Sequence, residues 1–201
     1  MPEPIRFYFE LVSPYSYLAS LRIEPAAQAA GRSVSWRPID LPRVWQAQGV
    51  LKAYAAIRKL KGPHIRRDAA RCAERLGVPF MAPRAGVGDT GLAKRAYCGL
   101  CESNDTRATP FLRAIWHRHF GEGCEIAALD DLTEAAGPLG LSAADIEAAA
   151  AMPAAAARIA ASNEEATAAG CFGVPWFVAD GESFFGHDRV PHLVDFLTMR
   201  P

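Results

Sequence analysis

A serine stands at the point where a buried, apolar stretch of the sequence gives way to a helix. The stretch Ile5–Leu18 starts as a dense aromatic and aliphatic run typical of a buried strand, breaks at Ser13-Pro14 and resumes with helical spacing. Proline fits the first turn of a helix, where the N–H that it lacks would have no partner. Unpaired N–H groups and the positive end of the helix dipole at that place favour a carboxylate, a phosphate or a thiolate. Ser13 is therefore either a candidate anion-binding residue or an ordinary N-cap, which is a common use of serine.

The elements that follow this serine complete a β-α-β unit. A helix is predicted over Ser16–Ala30 with Gly31 at its C-terminal end, and Ser33–Ile39 alternates apolar and polar residues as a short strand does. A strand, a helix and a strand in so few residues favour a parallel pair joined by a right-handed crossover.

The middle of the chain, from about residue 41 to 170, has helical patterns and almost no strand pattern. Gly49 and the pair Gly62-Pro63 are expected to separate its first three helices, and a Pro- and Gly-rich loop is expected at Gly77–Asp89. Ser142 and Asp145 form the pattern of a capping box. The predicted helices are Pro42–Gln48, Ala53–Leu60, His64–Leu76, Thr90–Glu102, Thr109–Phe120, Leu129–Gly137, Ala143–Ala151 and Ala154–Ala169.

Strand patterns return only near the end of the chain. Val174–Ala179 and Ser183–Phe185 are predicted strands joined by a hairpin turn at Asp180-Gly181, and Val190–Met199 is a predicted closing helix.

The order of these elements indicates a fold class. A β-α-β half, a long helical block and a β-β-α half are the order of a thioredoxin-like fold that carries a helical insertion. We therefore expect an α/β protein with a single thioredoxin-like unit. About 1–40 and 171–201 would form its α/β part, and about 41–170 would form the large all-helical insertion.

A proline opens the first of the two late strands, where proline normally has no place because it cannot donate to the ladder. In the thioredoxin-like order, Pro175 lies where a cis-proline faces the N-terminus of the first helix, and only X–Pro bonds are cis routinely. A cis bond would turn the N–H and C=O of Val174 outward, ready to pair with an extended, peptide-like ligand. The alternative is a trans-proline on an edge strand.

Thioredoxin-like redox enzymes place a Cys-x-x-Cys motif at the N-terminus of the first helix, where the dipole stabilises a thiolate. Here that place is Ser13-Pro14-Tyr15-Ser16, so oxygen replaces both sulfurs and the site cannot exchange a dithiol for a disulfide. A donor hydroxyl remains at a helix end that favours anions. The site is therefore expected to bind the thiolate of another molecule, most simply that of glutathione.

The one genuine Cys-x-x-Cys motif of the sequence, Cys98-Gly99-Leu100-Cys101, lies in the helical block. No strand pattern precedes it, and no second cysteine pair accompanies it to complete a zinc site. Two cysteines of a helical core are one interpretation, and a redox or metal role is the other. We predict no metal site, since His117 and His119 are two residues apart and point to different helix faces.

The composition excludes several classes of function. The 201 residues carry 22 basic and 22 acidic side chains, and this formal net charge of zero argues against nucleic acid or an anionic membrane as partner. No basic and apolar leader opens the sequence, and no apolar run has the length to span a bilayer. The five unevenly spaced cysteines are not a disulfide framework, so we expect a cytoplasmic protein.

Three segments carry a resemblance to a known family: FYFELVSPYSYLA, AIWHRHFGEGCEI and NEEATAAGCFGVPWFVADGESFFGHDR. They resemble 2-hydroxychromene-2-carboxylate isomerases, which belong with the kappa-class glutathione transferases, and the resemblance runs through essentially the whole chain. It implies a DsbA-like thioredoxin fold with a helical insertion, glutathione as the cofactor and a homodimer.

The resemblance also implies roles for residues at both ends of the chain. Ser13 would contact and activate the sulfur of glutathione, and Val174 would hold its cysteinyl backbone. The run Phe185-Gly186-His187-Asp188 matches a family segment of the type Trp-Gly-Asn/Gln-Asp, which binds the γ-glutamyl end. Asp188 would pair with the α-ammonium group of that end.

Two departures from the family pattern concern the substrate. His187 stands where an amide residue is usual, and the run Trp45–Val50 lacks the Lys followed by Gly-Asn that relatives often carry. Lys61 matches a family lysine, and with Tyr15 it is a candidate contact for the substrate. These positions shape the substrate pocket and part of the glutathione site, so the identity of the substrate stays open.

The function that the resemblance implies is a glutathione-dependent cis–trans isomerisation of an aromatic α-keto acid. A kappa-like glutathione transferase or peroxidase acting on another electrophile would share the site residues but not the substrate pocket. Two further hypotheses are a thioredoxin-like binding module without glutathione and a redox protein that works through Cys98 and Cys101.

Overall fold

The computed structural model describes residues 2–81, 83 and 88–199. Its sheet comprises β1 (Ile5–Phe9), β2 (Val34–Pro38), β3 (Trp176–Ala179) and β4 (Glu182–Phe185). In space the order is β2-β1-β3-β4, with β1 parallel to β2, and with β3 antiparallel to both β1 and β4. The predicted parallel pair, the late hairpin and the α/β fold class are confirmed.

The helices of the described ranges are α1 (Pro14–Ser20), α2 (Ile23–Ala29), α3 (Leu41–Ala47), α4 (Leu51–Leu76), α5 (Gly91–Glu102), α6 (Ala108–Trp116), α7 (Leu129–Ala136), α8 (Ala143–Ala151), α9 (Pro153–Ala168) and α10 (Val190–Thr198). A π-helical turn, His117–Gly121, follows α6, and short 3₁₀ turns precede α8 and α10. None of these described helices combines the length and the apolar character needed to cross a membrane.

Two compact units make up the chain, Met1–Ile65 with Ser162–Pro201, and Arg66–Ala161. The first contains the whole sheet. The second contains only helices and loops among its described residues. The helical insertion expected at about 41–170 stays a prediction.

Both faces of strand β1 are buried, which explains why its sequence is an almost unbroken apolar run. On one face, the ring of Phe7 stacks on Phe177 at a centroid distance of 4.9 Å and contacts Trp36 at 5.1 Å. On the other face, Tyr8 belongs to a buried cluster that includes Val174. Val174, the residue before Pro175, is thus anchored in the core of the first unit.

The single helix predicted over Ser16–Ala30 is wrong, because two helices cover this part of the chain. Helix α1 ends at residue 20 and α2 begins at residue 23. Pro25 has no N–H to bond with the carbonyl of Leu21, and its ring crowds that carbonyl, so an uninterrupted helix is unfavourable here. Gly31, with φ of +66°, follows the end of α2 as predicted.

The break predicted at Gly62-Pro63 is also wrong, because α4 continues through Pro63. This proline removes one helical hydrogen bond, the one to the carbonyl of Lys59. Pro63 and Lys59 are both exposed, so water can satisfy that carbonyl. The break at Gly49 is confirmed: α3 ends two residues before it, and its φ is +74°.

The second unit follows the predicted helices closely. The capping box of α8 is confirmed, since Ser142 Oγ accepts from the Asp145 N–H at 3.2 Å and the Asp145 carboxylate accepts from the Ser142 N–H at 2.8 Å. The described residues of the loop predicted at Gly77–Asp89 contain no helix or strand, and residues 82 and 84–87 lie outside the described ranges.

A bidentate ion pair fixes the turn between β3 and β4. The turn residues Asp180 and Gly181 have φ of +48° and +83°. Arg32 donates to the two carboxylate oxygens of Asp180 at 3.0 and 2.6 Å, and to the carbonyl of Glu3 at 2.9 Å. The two charged side chains are only 15% and 29% exposed, and a forked pair of this kind is stronger than a single surface contact.

We expect Arg32→Ala to lower the free energy of unfolding by about 1–2 kcal/mol, because it removes three charge-assisted hydrogen bonds. The matched control is Arg43→Ala. Arg43 is 76% exposed in its pair with Asp40, so its loss should cost less than about 0.5 kcal/mol. Denaturant unfolding measures both variants, and an equal loss in the two would contradict the role given to Arg32.

Candidate functional site

Ser13 is the N-cap of α1. Its backbone is extended (φ −92°, ψ 114°), its Oγ accepts from the N–H of Ser16 at 3.2 Å, and its carbonyl accepts from Tyr17 at 3.1 Å. Within the described part of the chain the Ser13 hydroxyl has no acceptor for its own proton, and the side chain is partly exposed. The N-cap interpretation is therefore confirmed, and the same hydroxyl is available as a donor to a ligand.

The peptide bond between Val174 and Pro175 is cis, as predicted. The carbonyl of Pro175 accepts from the N–H of Gly186 at 3.0 Å. Neither the N–H nor the C=O of Val174 forms a hydrogen bond to any described residue. The backbone of Val174 is therefore able to pair with an extended ligand.

The strand register brings distant parts of the sequence to one end of the sheet. Tyr8 pairs with Trp176, and Trp176 pairs with Phe185. Because β1 and β4 both run antiparallel to β3, the residues that follow β1 and β4 and those that precede β3 lie at the same end of the sheet.

A ring contact joins two of these segments directly. Tyr15, two residues after Ser13, stacks on His187 with a centroid distance of 5.2 Å and an interplanar angle of 18°. Together with the bond between Gly186 and Pro175, this stack makes one cluster of the three segments. The sheet-end site is our name for its members, which are Ser13, Tyr15, Val174 and Phe185–Asp188.

The segment after β4 turns sharply at Gly186. Its φ is +111°, and a Cβ at this position would lie 2.5 Å from Oδ1 of Asp188, so only glycine fits without strain. The carboxylate of Asp188 is exposed and lies 3.4 Å from the guanidinium of Arg189. An exposed carboxylate here can pair with a cationic group of a ligand.

Lys61 lies exposed on α4, and no contact between described residues joins it to the sheet-end site. Its contact with a substrate stays a prediction. Tyr15, the other candidate for the substrate, belongs to the site through its stack on His187.

Two side chains that hold the loop before β3 were not predicted as site residues. Trp45 Nε1 donates to the carbonyl of Phe172 at 2.9 Å, and Gln48 Nε2 donates to the carbonyl of Cys171 at 3.0 Å. The partners are 127 and 123 residues apart in the sequence, so no local spacing indicates these contacts. The only sequence feature that distinguishes Trp45 and Gln48 is that they belong to the run Trp45–Val50, which departs from the family pattern.

Cys98 and Cys101 lie on α5 in the second unit. Burial raises the pKa of the Cys98 thiol to about 12 and also raises the pKa of Cys101. Both thiols are therefore protonated at neutral pH, which is the unreactive form. In the described ranges no three His, Cys, Asp or Glu side chains are grouped to hold a metal.

The glycine between these cysteines has a packing role of its own. A Cβ on Gly99 would overlap the backbone carbonyl of Ala149, because α5 and α8 pack closely at this point. The motif thus includes a helix-packing glycine, which favours the structural interpretation of its cysteines.

Gly99→Ala should therefore destabilise the protein by about 2–3 kcal/mol, because the added methyl meets rigid backbone rather than a mobile side chain. Gly137→Ala is the matched control, since a Cβ there meets nothing within 4 Å. Thermal and denaturant unfolding compare the two variants. A Gly99→Ala protein as stable as the control would contradict this packing role.

The mixed sheet, the cis-proline before β3 and the capped helix after β1 define a thioredoxin-like protein. The family model of the DSBA-like thioredoxin domain matches residues 4–198. The chain belongs to the DSBA-like thioredoxin family.

Named relatives give a finer comparison. The chain is 29% identical over 201 residues to a 2-hydroxychromene-2-carboxylate isomerase of Sphingobium xenophagum, a match that covers 98% of this chain and 99% of the relative. It is 26% identical over 210 residues to glutathione S-transferase kappa 2 of Caenorhabditis elegans, covering 96% and 91%. A solved 2-hydroxychromene-2-carboxylate isomerase superposes with a TM-score of 0.78 at 27% identity, covering 97% of this chain and 94% of that one. The resemblance found in the sequence is confirmed, and the named relatives are enzymes.

Proposed function

We propose that this chain is a glutathione-dependent isomerase that converts 2-hydroxychromene-2-carboxylate to trans-o-hydroxybenzylidenepyruvate in the degradation of aromatic compounds. The observation that carries the proposal is the meeting of Ser13, Val174 and Gly186–Asp188 at one end of the sheet. The names of the similar isomerases support this substrate, since the matches extend over almost the full length of both chains.

The sheet-end site has the groups that an extended γ-glutamyl tripeptide needs. The Val174 backbone suits the cysteinyl part of glutathione, because a peptide pairs with a peptide through N–H and C=O groups. Asp188 suits the α-ammonium of the γ-glutamyl end, and the N–H groups at the start of α10 suit its carboxylate. Phe185 and His187 flank Gly186 in the sequence, and a Cβ on Gly186 would lie 2.5 Å from Oδ1 of the same Asp188 carboxylate.

When bound, glutathione would supply a thiolate nucleophile for the open-chain cis α-keto acid that forms when the ring C–O bond of the hemiketal breaks to give the phenol and the ketone. Reversible addition of the thiolate to the conjugated double bond would give an enolate with a rotatable single bond, and loss of the same thiolate would restore the double bond in the trans form. The hydroxyl of Ser13 would donate a hydrogen bond to the sulfur and keep its proton, while the N–H of Ser16 donates to the same oxygen and fixes its position. The hydroxyl and the N-terminal end of α1 both favour the thiolate over the thiol. Ser13 therefore activates a nucleophile that the cofactor provides.

Ser13→Ala should raise the pKa of the bound glutathione thiol by about 1 unit or more, because a hydrogen bond to a charged group contributes about 1.5–3 kcal/mol. The acid limb of the pH–rate profile should move to higher pH, since the thiolate then forms only at higher pH. Ultraviolet titration of the bound thiolate and turnover at a series of pH values measure both effects.

Ser33→Ala is the control for this experiment, because Ser33 is exposed, lies just before β2 and has no role in the site. Equal thiol pKa and equal turnover in Ser13→Ala and wild type would contradict the role of Ser13. The redox hypothesis has its own test: activity lost in Cys101→Ser but kept in Ser13→Ala would favour it over the proposed function.

A second candidate function is glutathione transfer or peroxidase activity on another electrophile, which the similarity to a kappa glutathione transferase favours. Turnover of 2-hydroxychromene-2-carboxylate compared with that of a chloronitrobenzene and an organic hydroperoxide separates the two functions. A glutathione-induced thermal shift is expected in both cases. Its absence would favour a thioredoxin-like binding module that does not use glutathione.

The proposal includes a homodimer in the cytoplasm. All five cysteines are free, which agrees with a reducing compartment. Sedimentation of the purified protein tests the dimer, and a monomer at micromolar concentration would contradict it.

A further inference from the structure

The loop that leads into β3, residues 171–175, is held by side chains from the end of α3; we call it the cis-proline loop. Gln48 Nε2 donates to the carbonyl of Cys171 at 3.0 Å, and Trp45 Nε1 donates to the carbonyl of Phe172 at 2.9 Å. The carbonyls of two successive loop residues thus accept from Trp45, which belongs to α3, and from Gln48, which is the C-cap of α3.

Two further carbonyls of the cis-proline loop, those of Gly173 and Pro175, also have partners. The thiol of Cys171 donates to the carbonyl of Gly173 at 3.3 Å, and burial raises the pKa of this thiol to about 12, so it stays a donor at neutral pH. The carbonyl of Pro175 accepts from the N–H of Gly186 at 3.0 Å. Val174 is the one residue of the loop whose carbonyl accepts from no described group. The hydrogen bonds of the loop therefore single out the peptide that we assign to the ligand.

The two donors are themselves held in place. Trp45 is 6% exposed, and its ring stacks on Tyr54 of α4 at a centroid distance of 5.0 Å and an angle of 18°. The N–H of Gln48 donates to the carbonyl of Val44 at 3.1 Å, and Gly49 then turns the chain with φ of +74°. The end of α3 and the start of α4 thus set the direction of both donors.

Burial alone does not account for these contacts. Gln48 is only half-buried, so water is able to satisfy its amide without the cis-proline loop. The indole N–H of Trp176 is buried and has no acceptor among the described residues, so this protein does not pair every buried indole. The two bonds to successive carbonyls of the same loop are better explained by what they position.

We propose that Trp45 and Gln48 are positioning residues that hold the cis-proline loop so that the Val174 peptide is ordered before its ligand binds. A peptide that is already ordered loses less conformational freedom on binding, which raises affinity without a new contact to the ligand. The inference rests on the proposed function for the identity of the ligand, glutathione. It also gives a role to part of the run Trp45–Val50, where this chain departs from the family pattern.

The test uses Gln48→Ala, the nearly isosteric Gln48→Glu, which replaces a donor by an acceptor, and Trp45→Phe, which keeps a ring against Tyr54 but removes the N–H. Amide hydrogen exchange of residues 171–174, 176 and 177 in the free protein should become several-fold faster in each variant. The Kd of glutathione by calorimetry and its KM should rise about three- to tenfold. The value of kcat at saturating glutathione should change less than twofold, because Ser13 is untouched.

Two controls match these changes. Gln28→Ala removes an exposed glutamine from α2. Trp36→Phe removes the N–H of another buried tryptophan, which donates to Glu24 at 3.3 Å. Both controls should keep the exchange rate of the cis-proline loop and the affinity of the wild type.

The possible results distinguish a failure of this inference from a failure of the proposed function. Unchanged exchange in Gln48→Glu and Trp45→Phe would overturn the inference, and so would faster exchange with an unchanged Kd or a loss of kcat instead of affinity. If wild-type protein binds no glutathione, the proposed function fails, and the exchange rates of the free protein still decide whether Trp45 and Gln48 hold the loop.

Discussion

The pairing of β3 between β1 and β4 is the constraint on which the sheet-end site depends. The register sets Tyr8, Trp176 and Phe185 side by side, and each strand carries a different segment to the same end of the sheet. One segment brings a hydroxyl at a helix start, one a backbone peptide, and one a carboxylate after a sharp turn. A slip of one residue would turn every side chain of a strand to the opposite face, so the buried aromatic side chains of the sheet also fix the site.

The chemistry of the site follows from the replacement of two cysteine sulfurs by serine oxygens at the start of α1. Oxygen stands at both positions where a redox enzyme of this fold has sulfur, so the helix start keeps its preference for anions and loses dithiol exchange. The cysteines that the fold buries do not restore that chemistry, because burial raises the pKa of Cys98 and Cys171 to about 12. In the proposed function, the thiolate at the sheet-end site comes from a bound molecule.

Local patterns predicted the parts of the structure that local interactions decide. The serine N-cap, the capping box of α8, the hairpin turn at Asp180-Gly181 and the cis-proline are all confirmed, because each depends on a few neighbouring residues or on the order of elements. The two predictions for helices that contain proline were both wrong: a break was missed near Pro25, and a break was predicted at Pro63 where the helix continues. Pro25 accompanies a break in a predicted continuous helix, whereas Pro63 lies in an exposed part of α4 where water can replace the lost bond.

Contacts between distant segments could not be predicted from the sequence. The stack of Tyr15 on His187 and the bonds from Trp45 and Gln48 join residues more than a hundred positions apart, and no periodicity encodes them. The motif Cys98-Gly99-Leu100-Cys101 shows the converse problem. Its spacing resembles a redox site, but its glycine packs against the backbone of α8, which only the folded helices reveal.

A crystal structure of the protein with glutathione tests the central claim most directly. We predict the sulfur within hydrogen-bond distance of Ser13 Oγ, the cysteinyl backbone paired with Val174, and the γ-glutamyl end against Gly186–Asp188. Glutathione bound elsewhere, or bound here with its sulfur turned away from Ser13, would contradict the account.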